Sequence, residues 1–270
     1  MAQTGRRPTD DEKRPLIDRV LGSPIAGLSP WIVLSLLAGP GRIEEAAAIT
    51  LAMSVGLVAL SKWRGQSVKL LELSDAIFFL VLLVAAATAS AETADWLESW
   101  VGELSNIALV LIVLVSIALR NPFTLQYAKE EAPPEVWESP LFIRINYVLT
   151  WAWAGAFIVA ALAGAFGNLV LDNFNNLWTG WVIQTAAIVF AIQFTVWYPD
   201  HATGDDTRSV TAGLLAPLAG WLVPVGVLVF VFDAAPWWVG VGFIVGGAAL
   251  SHQLADEGQA TPATGGPTPT

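Results

Sequence analysis

Apolar runs of roughly 20 residues recur along the chain, separated by short stretches that hold nearly all of its charge. They fall at about 24–39, 43–61, 70–90, 104–119, 142–166, 176–198, 212–232 and 236–252. A hydrocarbon core of about 30 Å is crossed by about 20 such residues in a helix. The pattern therefore predicts an all-α, polytopic transmembrane bundle of eight spans over 24–252. Residues 1–23 read as a polar arm. The Gly-, Pro- and Thr-rich tail, 253–270, is expected to be disordered. The first run, from Ile25 to Ala38, is short enough for a signal peptide. However, Gly39-Pro40-Gly41-Arg42 offers no small-x-small cleavage site, so a short span followed by a tight turn is expected.

Threading the chain through these spans places twelve of its 13 Lys and Arg residues on one side. Arg42 is the exception, with Glu44 and Glu45 beside it. Basic residues near span ends are retained on the cytoplasmic face. Both termini are thus expected inside a prokaryotic plasma or inner membrane. The stretch holding Glu92, Asp95, Glu98 and Glu103 reads as an outer loop, and 120–141 as a longer inner loop.

Composition supports the membrane reading: 55% of residues are hydrophobic and 13% charged, against about 25% charged in soluble domains. The absence of cysteine excludes disulfides and thiolate metal sites. A net charge of −10 argues against nucleic-acid partners. Most of the 13 tryptophans lie near span ends, as an aromatic belt requires. Trp151, Trp153 and Trp221 sit deeper and are expected to pack between helices.

Residues 101–127 align without gaps on 172–198, an offset of 71. Ile112 meets Ile183 and Ile117 meets Ile188, while Phe123-Thr124-x-x-Tyr127 meets Phe194-Thr195-x-x-Tyr198. The units lie two spans apart, so a duplication would give parallel two-helix repeats.

The segment 62–198 carries Pro134-Glu135-Val136-Trp137, then Arg144-Ile145-Asn146 leading into an aromatic-rich span from Trp151 to Phe157. Gly164, Asn168-Leu169, Phe174, Trp178 and Gln193 follow. This order resembles the intracellular septation protein A family of bacterial inner-membrane proteins. The resemblance implies a membrane protein that supports septation and cell-envelope synthesis through other membrane proteins, with no catalytic residues to carry over. Family members have fewer spans and basic ends, whereas this chain has extra spans at both ends and an acidic inner loop.

Few residues offer chemistry. Asp75 is the deepest carboxylate in the predicted spans, with Glu72 one turn nearer the surface and Lys69 or Arg144 as candidate counter-charges. Facing a cavity, Asp75 could bind a cation or relay protons. Acids in a helix's first turn also complement its dipole, and that simpler role is the expectation. Gln184, midway along the sixth span, is the strongest polar candidate for a transport path, although helix-to-helix hydrogen bonding is the expected role. His201 with Asp205 and Asp206 reads as a solvated turn rather than a metal site. Pro217 and Pro224 each free a backbone carbonyl, with kinks repaired by neighbouring helices as the expectation. Gly164, Gly167, Gly240, Gly242, Gly246 and Gly247 should let helices approach closely, or form a contact between copies.

No nucleophile elbow, phosphate loop or zinc-protease motif is present, so no enzyme and no cofactor are expected. The preferred function is partner binding in cell-envelope assembly. Phe123, Tyr127, Glu130, Glu131, Glu135, Trp137 and Glu138 form the candidate docking surface. The alternative is a small-solute or ion transporter with a path near Asp75 and Gln184.

Overall fold

A computed structural model describes residues 24–173, 176–204, 209–231 and 235–260. Every regular element among them is helical. Seven stretches are long and apolar enough to cross a membrane: Ile43–Trp63, Leu70–Thr88, Ala91–Ala118, Pro140–Leu169, Leu177–Thr203, Thr211–Val231 and Trp237–Glu257. The chain is a multi-pass integral membrane protein. The eighth expected span is α1 (Pro24–Leu37), whose 14 residues rise about 21 Å, short of a hydrocarbon core.

The described residues form two compact units, one within 24–101 and 111–146, the other within 102–110 and 147–260. In the first, α1 turns into α2 (Ile43–Trp63) through Gly41, whose φ of 71° suits glycine. The buried face of α2 is made of small residues, Ala46, Ala47, Thr50 and Ser54, which let α3 (Leu70–Thr88) lie close. Along α3, Leu71, Asp75, Phe79, Leu82 and Ala86 form one buried stripe. The opposite face exposes Leu73, Ile77, Leu80, Val81 and Val84. A helix apolar on both its buried and exposed faces is built for lipid.

Helix α4 (Ala91–Ala118) begins well before the expected span: Glu92, Asp95, Glu98 and Glu103, expected in a loop, all lie within it. The reason is local. Ser90 caps the helix by accepting a bond from the Thr93 amide at 3.3 Å, and Glu92 in the first turn favours the helix dipole. The inner stretch 120–141 is likewise not a simple loop: it contains α5 (Phe123–Glu131) and a short 3-10 turn, Pro134–Val136. Ser116 Oγ accepts from the Phe123 amide at 3.1 Å, and Thr124 Oγ1 donates to the Asn146 carbonyl at 2.8 Å. The two Phe-Thr-x-x-Tyr strings therefore occupy different structure. The first opens α5, whereas the second lies inside α7 (Ile183–Thr203).

In the second unit, Trp153 of α6 (Pro140–Leu169) is buried and donates through Nε1 to Thr195 Oγ1 at 3.0 Å. Trp151 and Trp221, expected to pack like it, are exposed. Asn176 caps the next span, its side chain accepting from the Trp178 and Thr179 amides, and a π-helical stretch, Leu177–Val182, leads into α7. The span expected at 212–232 is broken in two places. A π-helical stretch occupies Thr211–Leu215, and α8 (Ala216–Gly220) is separated from α9 (Leu222–Val231) at Trp221. Both breaks follow from proline. Pro217 and Pro224 lack the amides that would bond back to residues 213 and 220. Ser251 of α10 (Trp237–Ala260) donates to the Ala216 carbonyl at 2.8 Å within this disturbed stretch. Helix α10 runs eight residues past the expected span end at 252, into the tail expected to be disordered; residues 261–270 lie outside the described residues, as does the arm 1–23.

Candidate functional site

The first unit buries a row of charged and polar groups where α1, α3 and α5 meet. Lys69, the residue before α3, is only 1% exposed. Its Nζ lies 3.1 Å from Glu130 Oε2 of α5 and 3.4 Å from Glu72 Oε1. Glu72 also accepts from Ser61 Oγ at 3.5 Å and from the Lys69 amide at 3.4 Å. Glu130 Oε1 accepts from Ser67 Oγ at 3.1 Å, and Gln126 Oε1 from the Leu70 amide at 2.8 Å. Together these bonds strap α5 onto the start of α3.

One turn further along α3 is Asp75, also 1% exposed. Its Oδ1 accepts from Trp31 Nε1 of α1 at 2.7 Å. The expected counter-charges do not fill this role: Lys69 is engaged by the glutamates, and Arg144 is exposed. Nor does Asp75 sit at the surface, as the helix-dipole expectation supposed. The rings of Phe78 and Phe79, 4.6 and 4.8 Å from the Trp31 ring, help enclose it.

Tyr127 completes the row. Its hydroxyl is buried and has no hydrogen-bond partner among the described residues. It presses against Gly27 of α1, where any added Cβ would collide with it and with Leu71. Gly27 and Leu71 precede Trp31 and Asp75 by four residues each, so the hydroxyl lies about one helical turn from the Trp31–Asp75 bond. Lys69 Nζ stands 5.0 Å from the Tyr127 ring centroid. Burial, and then the carboxylates of Glu72, Asp75 and Glu130, push the Tyr127 hydroxyl well above its usual value.

That shift has a sign. Above about pH 10 an unfolded tyrosine loses its proton while folded Tyr127 keeps it, so the unfolded chain binds fewer protons and stability falls as pH rises. Tyr127→Phe should show a shallower alkaline loss. Near neutrality it should be as stable as the parent or about 1 kcal/mol more so, because it removes a buried hydroxyl with no partner. Thermal unfolding in detergent across the alkaline range reads both effects.

The second unit holds a separate polar node around Gln184. Asn106 Nδ2 of α4 donates to Gln184 Oε1 at 3.0 Å, and Gln184 Nε2 donates to the Thr179 carbonyl at 3.1 Å. Glu103, buried on α4, accepts at Oε2 from Asn168 Nδ2 of α6 at 3.0 Å. Glu103 packs directly on Gly164, and Thr179 Oγ1 lies against Gly167. Sequence reasoning missed Glu103 because it counted the residue as part of a loop. The Ser90 cap and the apolar run after it were the available signals.

The expected docking surface is divided. Phe123 and Tyr127 are buried, facing inward as an i, i+4 aromatic pair whose ring centroids are 6.4 Å apart. Glu130 turns in toward Lys69. Glu131, Glu135 and Glu138 are exposed, and Trp137 is half-buried, its Nε1 donating to the Ala132 carbonyl at 2.9 Å. His201 stacks on Trp197 at 4.5 Å, while Asp205 and Asp206 lie outside the described residues. Among the described residues no three His, Cys, Asp or Glu side chains converge as metal ligands. No protein-family model, curated protein or solved structure matches this chain.

Proposed function

We propose that the protein is a small membrane transporter or channel whose ion-binding group is Asp75. One observation carries this reading: Asp75 is enclosed in the helix bundle at the end of a buried row of charged side chains. Ionisable groups are costly in a bilayer interior and mark ion pathways and proton relays. Ion-concentration jumps on reconstituted membranes test it. Proton, sodium or potassium jumps should give currents that protein-free membranes lack. Silence with all three sinks the proposal.

The second reading is a membrane partner protein in cell-envelope assembly, with both termini cytoplasmic. It draws on the sequence resemblance and on the exposed glutamates Glu131, Glu135 and Glu138, carried by a segment strapped to α3. Converting all three to lysine should weaken capture of a basic membrane partner by about tenfold, at a few tenths to 1 kcal/mol per exposed charge. Unchanged capture removes this surface. The natural lack of cysteine makes orientation testable. Single cysteines at Glu92 and Glu131 should react with impermeant maleimide from opposite sides of the membrane.

A further inference from the structure

We infer that Glu103, with Asn106, Asn168, Thr179 and Gln184 around it, forms a binding site for a monovalent alkali cation. Every one of these residues belongs to the second unit and Asp75 to the first, so the site goes beyond the transport reading and stands without it.

Three spans build the site. Helix α4 supplies Glu103 and Asn106, α6 supplies Gly164, Gly167 and Asn168, and the span that starts at Leu177 supplies Thr179 and Gln184. They meet on a glycine face of α6. The Glu103 carboxylate occupies the place a Gly164 Cβ would take, and Gln184 Nε2 stands 3.0 Å from that place. One turn along the same face, the Thr179 hydroxyl lies against Gly167. Asn168 Nδ2 donates to Glu103 Oε2 at 3.0 Å, and Asn106 Nδ2 to Gln184 Oε1 at 3.0 Å. Gln184 Nε2 in turn donates to the Thr179 carbonyl at 3.1 Å. Asn168 is next to the last residue of α6, and Thr179 is the third of its span. The site therefore lies near one membrane face, within reach of ions in the water there.

Charge and unpaired oxygens select the ligand. Glu103 is 6% exposed, and among the described residues no Lys, Arg or His pairs with it. Its one donor from another described residue is the neutral Asn168 amide. A carboxylate so enclosed is neutralised by a proton or by a cation. Two more oxygens decide between them. Thr179 Oγ1, buried, and Asn106 Oδ1 have no hydrogen-bond partner among the described residues. A proton on Glu103 would leave both unused, whereas a hard cation takes carboxylate, hydroxyl and amide oxygens together. The single carboxylate sets the ion's charge. A divalent ion draws on several acidic ligands, and no three such side chains converge among the described residues. Thr179 also lies in the π-helical stretch Leu177–Val182, a backbone form that recurs at functional sites.

Melting of the detergent-solubilised full chain in sodium, potassium or choline chloride, at one ionic strength, tests the site. Sodium or potassium should raise the melting temperature saturably between about 1 and about 300 mM, and choline, too large to be enclosed, should not. Glu103→Gln should raise the half-saturating concentration about tenfold or more, because the site loses its only charge. Glutamine keeps the shape and an acceptor for Asn168, so the variant should fold. Thr179→Val keeps the test decisive if it does not. Removing a buried hydroxyl with no partner should leave the melting temperature in choline unchanged or raised. The same change should raise the half-saturating concentration about threefold or more, which a role in helix packing alone would not do. Equal melting in all three salts overturns the inference, as does a half-saturation that either folded variant leaves in place.

Discussion

Lys69→Met should lower stability by about 3–5 kcal/mol, the largest effect expected of any single substitution in the charged row. The ammonium is almost fully buried between Glu72 and Glu130. Removing it leaves two largely buried carboxylates on either side of the place the ammonium held. The loss comes from the desolvation of the remaining anions rather than from the attraction itself. A triple variant, Lys69→Met with Glu72→Gln and Glu130→Gln, should therefore recover most of the stability. The three sites touch, so their effects will not add, and the size of the recovery measures their coupling. Thermal or denaturant unfolding in one detergent checks the series. If Lys69→Met unfolds within about 1 kcal/mol of wild type, the ammonium is not confined as described.

The glycines of the second unit should divide into two classes with opposite signs. Gly226 of α9 faces Gly240 and Ile244 of α10 so closely that an added Cβ would lie 2.6 Å from the Gly240 carbonyl oxygen and 2.9 Å from the Ile244 nitrogen. Both obstacles are backbone, so the helices must separate. A Cβ at Gly247 would meet Leu222 Cβ at 2.6 Å. Alanine at Gly226 or Gly247 should destabilise by about 1–3 kcal/mol. Gly242 and Gly246 lie on the same α10, yet nothing approaches their missing side chains within 4 Å among the described residues. Alanine at either should be neutral or stabilise by up to about 1 kcal/mol through helix propensity. Four single variants and their melting temperatures settle the assignment. Equal losses at all four positions would contradict the packing.

This division shows where the sequence was legible and where it was not. Composition singled out a glycine-rich α10 but could not say which glycines meet a neighbour. Gly240 and Gly247, seven apart on one face, do so; Gly226, across from them, had not been singled out at all. Long apolar runs were readable because a bilayer imposes length and hydropathy directly. The start of α4 was not, because four acids near a span outweighed the Ser90 cap that makes them helical. Asp75 was visible as a candidate, but its partner, Trp31, lies 44 residues away and becomes known only through the packing of α1 on α3. The spacing of Phe123 and Tyr127 suited both an exposed and a buried helical face. The bonds to Ser116 and Asn146 at the start of α5 accompany the buried orientation.

The central claim is that the enclosed Asp75 carboxylate works on an ion, beyond holding helices together. Asp75→Asn separates the two roles, because an amide oxygen can still accept the Trp31 bond while the carboxylate charge is lost. The decisive measurement is proton-driven current from reconstituted wild type and Asp75→Asn, with melting temperatures taken on the same preparations. The account predicts a folded variant within about 1 kcal/mol of wild type whose current is reduced about tenfold or more. A folded variant that conducts like wild type would contradict it.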